Sequence, residues 1–239
     1  MLFQKIMVAG GHRPNPGQQA YTTAGTYSWT CPAGVTSVSV VCIGPGKRAG
    51  GGLGYKNNYT VTPGSSYEVV VGSWVSDGAT NSYFVSIAVV KGGAATGLNG
   101  ETGGTKTGDG GGNGGDPGAG GAEQQGWGGA AGYSGSGGHG GNGNGGGVTA
   151  GSGGGGGGGM QGNGGGGGAG GGVGILGEGS SGAAGSGWTG GDGNPGGAGS
   201  GGVGKLYGGG NTNSPGTGAV RIIWPGNIRF FPSTRTADE

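Results

Sequence analysis

The chain has 239 residues, 9% of them charged, and a formal net charge of +1. A chain this neutral lacks the Lys and Arg excess that neutralises phosphates, which argues against nucleic acid as a partner, and it lacks the high net charge typical of disordered chains. Its extreme is glycine: of 80 glycines, 14 precede residue 92, one follows residue 218, and 65 fill the 127 positions between.

In chain order, the run Met1-Leu2-Phe3-Gln4-Lys5-Ile6-Met7-Val8-Ala9 is too short and too broken by Gln4 and Lys5 for a secretory core. Residues 1–23, with His12, Arg13, Pro14 and Pro16, read as an irregular arm. Thr26-Tyr27-Ser28-Trp29-Thr30-Cys31 alternates, placing Tyr27, Trp29 and Cys31 on one face of a strand. Pro32-Ala33-Gly34 turns the chain into a β-branched run, Ser37-Val38-Ser39-Val40-Val41-Cys42-Ile43. The two runs read as a hairpin whose register keeps Cys31 and Cys42 apart, so two free, part-buried thiols are expected. Residues 44–54 form a glycine-rich loop carrying Lys47 and Arg48.

Residues 58–62 and 66–71 flank Pro63-Gly64, the chemistry of a tight reversal, and read as a second hairpin. Residues 83–90 give the next strand signal and residues 219–224 the last, stopped by Pro225. Helix signals are absent, and each Gly costs a helix about 1 kcal/mol relative to Ala. A strand cannot stand alone, so 219–224 is expected to return to the sheets built by 24–91. The expected fold is all-β: a jelly-roll-like β-sandwich from residues 24–91 plus 218–225, without α-helix. A glycine-rich polyglycine-II bundle, residues 92–217, is inserted between its strands, with arms at 1–23 and 226–239.

Within the tract, runs such as Gly137-Gly138-His139-Gly140-Gly141-Asn142 have a local period of three. That matches the polyproline-II helix, with about 3 residues per turn. Strict Gly-X-Y fails, which sets collagen aside. Polyproline-II legs have no internal hydrogen bonds, so glycine legs side by side can satisfy one another and add Cα–H···O contacts. Ordering costs roughly 1–2 kcal/mol per residue, which only a nearly complete hydrogen-bond lattice could offset; a flexible Gly/Ser linker is the alternative. The all-glycine runs 153–159 and 164–168 are the expected inner legs, with Gly155, Gly156, Gly157, Gly165, Gly166 and Gly167 as bundle core. Asp116-Pro117-Gly118, Asn194-Pro195-Gly196 and Ser214-Pro215-Gly216 are the expected reversals.

No catalytic, metal or cofactor motif emerges. Gly-x-Gly-x-x-Gly recurs by chance at this glycine content and lacks a βαβ context. His12 and His139 lie far apart, and the Asp residues of the tract lack the apolar residue that follows in calcium-binding glycine repeats. The chain is therefore not expected to be an enzyme. Trp127, Tyr133, Trp188 and Tyr207 do not suit a linker: either they seal the bundle edge or its junction with the β-sandwich, or some of them contact a receptor, as Trp and Tyr often do. In the C-terminal arm, Arg229, Phe230 and Phe231 form a candidate docking peptide.

Thr26–Cys31, Pro32-Ala33-Gly34-Val35-Thr36-Ser37-Val38, the run from Thr62 to Gly72 and the closing Gly218-Ala219-Val220-Arg221-Ile222-Ile223-Trp224 resemble glycine-rich-domain proteins of bacteriophages. Arg229-Phe230-Phe231-Pro232-Ser233-Thr234 resembles the ends of structural proteins from tailed phages of marine cyanobacteria. The layout is similar to the glycine-rich region of the anaplastic lymphoma kinase receptor and to the bundle at the tip of T-even-like phage adhesins, whose N-terminal attachment region differs. The resemblance implies a virion protein on the extracellular surface of the particle, a tail fibre or tip adhesin, or else a capsid decoration or fibre segment without a receptor. Implied partners are other virion proteins and a host cell-surface glycan or outer-membrane protein, with a homotrimer as one assembly. An ice-binding bundle would need a flat, regular row of small residues, which the scattered Trp, Lys and Gln disfavour.

Overall fold

The computed structural model describes residues 15–75, 78–120, 125–143, 146–160, 167–186, 207–211 and 215–232, with strands and turns but no helix among them. The strands are β1 (Gly17–Tyr21), β2 (Gly25–Thr30), β3 (Ser37–Ile43), β4 (Leu53–Thr60), β5 (Ser66–Val71), β6 (Trp74–Val75), β7 (Gly78–Ala79), β8 (Ser82–Phe84), β9 (Val90–Gly92), β10 (Lys106–Thr107), β11 (Gly110–Gly112) and β12 (Ala219–Trp224). They build two five-stranded sheets, β1-β12-β3-β4-β11 and β10-β9-β8-β5-β2, beside the small ribbon β6-β7. All pairings are antiparallel, so the fold is an all-β sandwich.

Strand β12 does return across the tract, and it enters the middle of a sheet, with Ala219 opposite Ile43 on one side and Trp224 opposite Gly17 on the other. The segment expected as an irregular arm therefore contributes β1. Pro14 and Pro16 precede that strand and do not interrupt it, and Gly17 is required there: a Cβ would lie 2.4 Å from the Trp224 ring.

Neither expected hairpin forms. β2 pairs with β5 in one sheet, while β3 and β4 pair in the other, so the turns at 32–36 and 61–65 both cross between sheets. The two crossings brace each other: Cys31 N–H donates to Ser65 O and Gly64 N–H to Cys31 O, both at 2.9 Å. The physical reason lies in β3, whose apolar residues point both ways. Val38, Val40 and Cys42 join Trp29, Val69, Phe84 and Ile222 between the sheets, whereas Val41 and Ile43 face away from them. A strand covered on both faces reads as a nearly continuous apolar run, and Ala219-Val220-Arg221-Ile222-Ile223 of β12 follows the same rule. The run expected as one strand over 83–90 is also divided. Val85 takes a φ of 65° and a turn follows, separating β8 from β9.

The glycine tract covers the outer face of the β3–β12 sheet, making a third layer. Their shared core holds Val41, Ile43, Leu53, Ala219 and Ile223 from the sheet, and Ala130, Ala131, Tyr133, Val173 and Tyr207 from the tract.

Inside the tract the chain runs as legs bonded to one another with a three-residue rhythm. In the leg 126–131, the N–H groups of Gly126 and Gly129 donate to Gly141 and Gly138. Those of Trp127 and Ala130 donate to Gly168 and Gly171, and those of Gly128 and Ala131 to Arg48 and Gly51. Its carbonyls repeat in the same way, Gly126 and Gly129 accepting from Gly118 and Gly115, Trp127 and Ala130 from Gly159 and Gly156, and Gly128 from Gly210. One leg is thus ringed by six chain segments, the hexagonal arrangement of polyglycine II. Spacing is set by bare backbone: a Cβ on Gly126, Gly128 or Gly129 would lie 1.8–2.0 Å from a neighbouring carbonyl oxygen.

Gly155, Gly156 and Gly157 are buried as expected, their carbonyls accepting from Gly182, Gly138 and Gly171. Gly167 is only half-buried, and Gly165 and Gly166 lie outside the described residues. The most enclosed described leg is not an all-glycine run but the one holding Trp127. Asp116-Pro117-Gly118 also proves to be part of a leg rather than a reversal: Asp116 O accepts from Gly140 and Gly118 N–H donates to Gly126. Proline's fixed φ suits a polyproline-II leg, and its missing N–H leaves no donor unsatisfied. The reversals expected at Asn194-Pro195 and at Ser214 lie outside the described residues.

Candidate functional site

Of the aromatics that are candidates for either sealing the bundle or meeting a receptor, Trp127, Tyr133 and Tyr207 are interior, as the sealing alternative expects. Tyr133 is fully buried, its hydroxyl donating to Gly174 O at 3.0 Å and accepting from Gly177 N–H at 3.2 Å. Burial pushes that phenol well above its ordinary pKa, against smaller lowering contributions from the Gly177 bond and the Arg221 charge. Tyr207 is bonded backbone to backbone with Val173 in the same core, and Trp127 is 7% exposed. Trp188 lies outside the described residues. The cause is simple: a glycine lattice offers no side chains of its own to the sheet, so Tyr133, Val173 and Tyr207 of the tract fill the seam between the two layers.

The C-terminal docking peptide is also occupied internally. Phe231 stacks on Tyr133 and packs at a tilt against Tyr55, with ring centroids 5.8 and 6.2 Å away, and its backbone is held by the Asn57 carboxamide, whose Nδ2 donates to Phe231 O at 2.7 Å and whose Oδ1 accepts from Phe231 N–H at 2.9 Å. Arg229 is buried and donates to the carbonyls of Gly17 and Trp224. Among the described residues of this arm, Phe230, 50% exposed, and Ile228, 57% exposed, are the large apolar side chains left at the surface. The thiols of Cys31 and Cys42 are free and buried, on strands of opposite sheets or their ends, and burial raises both pKa values.

Polar and aromatic side chains that remain accessible gather where the loop 45–49 meets the loop 96–102. The second loop is closed on itself by reciprocal Thr96–Thr102 backbone bonds, at 2.9 and 3.0 Å, and pinned to the first by Ala49 N–H donating to Gly100 O and Ala95 N–H to Pro45 O. Gly97 and Gly100, with φ of 93° and 68°, supply the left-handed turns this requires. At the tip, Leu98 is 96% exposed. Trp74 stands alongside, its Nε1 donating to Ala95 O, with the Lys47 ammonium 3.6 Å above its ring.

Two clefts flank the loop. One, of about 450 Å3, is lined by Trp74, Ala79, Ala95, Thr96 and Leu98. The other, of about 460 Å3, lies between Arg48, Asn99 and Glu101 on one side and residues 117–120 with Gln125 on the other. Arg48 Nη1 bonds Glu101 Oε1 at 2.8 Å, and Arg48 Nε is buried without a hydrogen-bond partner. Sequence reasoning marked Lys47 and Arg48 only as loop residues. The available signal was that Arg48 is the sole Arg between residues 14 and 220. Trp74, Asn99 and Glu101 gave none, since their proximity arises from the bundle's topology. Among the described residues no His, Cys, Asp and Glu cluster suits a metal ion, and no helix is long and apolar enough to cross a membrane.

Comparison with protein families, characterised proteins and solved structures finds no match to this chain.

Proposed function

We propose that the protein is a structural component of a bacteriophage virion, a tail fibre or tip adhesin that holds loops of a rigid polyglycine-II bundle against a host surface. The observation that carries this reading is the leg 126–131, ringed by bonded segments on every side. Such a lattice is stiff and presents loops from fixed ends, the arrangement in which recognition is placed on loops of a rigid scaffold. The likeness of the β motifs to phage glycine-rich proteins supports the same assignment. Recognition falls to the loop 96–102 and its flanks rather than to Trp127, Tyr133 or Tyr207. Other virion proteins are the partners for assembly, as a homotrimer or otherwise, and a host surface component is the partner for attachment.

The burial of those three aromatics favours a second reading, a decoration or fibre segment with no receptor. Mass spectrometry of purified virions tests the shared claim, and its absence from the particle sinks both readings. Binding of the purified full chain to cyanobacterial host cells separates them: saturable binding supports the adhesin, and no binding leaves only the scaffold.

A further inference from the structure

We propose that the cleft between Arg48, Glu101, Asn99 and Gln125 binds an uncharged, polyhydroxylated ligand, a neutral glycan. The proposal rests on the virion-surface reading and specifies what its loop end recognises.

The walls of this cleft carry flat, polar side chains: the Arg48 guanidinium, the Glu101 carboxylate and the exposed Asn99 carboxamide, with the buried Gln125 opposite. Carboxamides and carboxylates bond adjacent hydroxyls through paired donors and acceptors. A neutral sugar supplies hydroxyls of both kinds at one spacing. Charge does not favour an ion there. Among the residues that line the cleft, the two charged ones are Arg48 and Glu101, and they are paired at 2.8 Å. An anion would meet Glu101, and a cation would meet Arg48.

Accessibility and rigidity are both met. Arg48 is held with its side chain 11% exposed, while the Glu101 side chain is 51% exposed at the rim. Glu101 accepts from Arg48 through Oε1, and a carboxylate bonded in this way keeps acceptor capacity for a ligand hydroxyl. The floor is backbone of the lattice itself, Gly118 N–H being bonded to Gly126 O at 3.0 Å, so little ordering accompanies binding. The neighbouring Trp74, on the far side of the loop, offers an amphipathic ring to a longer chain of sugars.

The test is a printed array of neutral and acidic bacterial surface oligosaccharides probed with the full chain. Titration calorimetry with the best-bound neutral oligosaccharide follows. Neutral glycans are expected to bind. Asn99→Ala should weaken binding about tenfold without lowering Tm, Asn99 being exposed, and Glu101→Gln should weaken it about as much, with some loss of Tm because it removes the charge paired with the largely buried Arg48. Glu68→Gln, exposed on β5, should bind as the parent does. No array binding, equal binding by the Asn99 and Glu101 variants, or a preference for acidic glycans or inorganic phosphate overturns the proposal. If the chain binds host cells after periodate has destroyed their glycans, and both variants bind equally, the cleft assignment fails while the adhesin reading stands.

Discussion

Replacing Gly129 by Ala tests the lattice with one methyl group. A Cβ at Gly129 would lie 2.0 Å from Gly156 O and 2.7 Å from Gly157 O. Ordinary contact begins near 3.4 Å, so the leg 155–159 must retreat by about 1.4 Å. That retreat takes Gly156 N–H···O Ala130, now 3.0 Å, and Gly159 N–H···O Trp127, now 2.8 Å, beyond hydrogen-bond range. A buried backbone group left unsatisfied costs about 1–3 kcal/mol, and residual overpacking adds about 1–3 kcal/mol. The smaller entropy of an unfolded chain carrying Ala returns about 0.4–1 kcal/mol. The net effect is a loss of about 3–5 kcal/mol, large against the roughly 5–15 kcal/mol typical of native proteins. At about 2–4 °C per kcal/mol for chains of this size, Tm should fall by about 10 °C. Gly146→Ala is the control, because a Cβ there meets nothing within 4 Å; its Tm should stay within about 2 °C of the parent. Scanning calorimetry of the full chain reads both. If the Gly129 variant melts with the control, the leg 126–131 is not enclosed as described and the lattice argument fails.

Phe231→Ala empties the aromatic stack under the C-terminal turn and should cost about 3–5 kcal/mol by denaturant unfolding; a loss below about 1 kcal/mol would mean that this segment does not fasten the bundle to the sheet. Neither Cys31 nor Cys42 should react with iodoacetamide in the native chain at mildly alkaline pH, since burial raises both thiols, yet both should react in guanidinium; native labelling of Cys42 contradicts the two-sided burial of β3. Burial pushes Asp109 up, but bonds from Lys56 and Asn57 N–H and the Lys56 charge outweigh it, leaving its pKa below 3.8. A lowered folded value means that the pair stabilises above the unfolded pKa and ceases to do so as pH falls through the folded one. Because both side chains are more than a third exposed, the loss is at most about 1 kcal/mol. Asp109→Asn should remove that dependence, and an unchanged acid slope in Tm would refute it.

Sheets and layers differed in how far the sequence declared them. The strands of β2, β3, β5 and β12 followed from alternation and β-branched runs, because those patterns report local burial. Their partners did not follow, since Pro32-Ala33-Gly34 and Pro63-Gly64 permit either a hairpin or a crossing between sheets. The deciding fact is that Val41 and Ile43 need cover as much as Val38 and Val40 do, which only the glycine layer provides. The period of three announced the bundle, but leg order was hidden: glycine carries no side chain to specify a neighbour. For the same reason the loop 96–102 cleft was not visible, as Arg48 and Glu101 are brought together by lattice geometry across 53 positions.

The rows of one leg explain how Trp127 can sit in the most enclosed one. Residues three apart face the same way, so 126–131 presents three rows. Gly126 and Gly129 point at carbonyls of 156–159, and Gly128 points at Gly115 O; none of these three positions has room for a Cβ. Trp127 and Ala130 form the third row. A Cβ on Gly167 would lie 2.9 Å from the Trp127 ring, and one on Gly208 would lie 3.2 Å from Ala130 Cβ. That row therefore opens onto a seam between legs, where a side chain fills space that backbone leaves. Ala131 shares the row of Gly128 but is buried in the core against the sheet instead. In this lattice glycine is demanded position by position, wherever a neighbouring carbonyl closes on the leg, so an interrupted Gly-Gly-X run marks a leg with a local opening, not a leg at the surface.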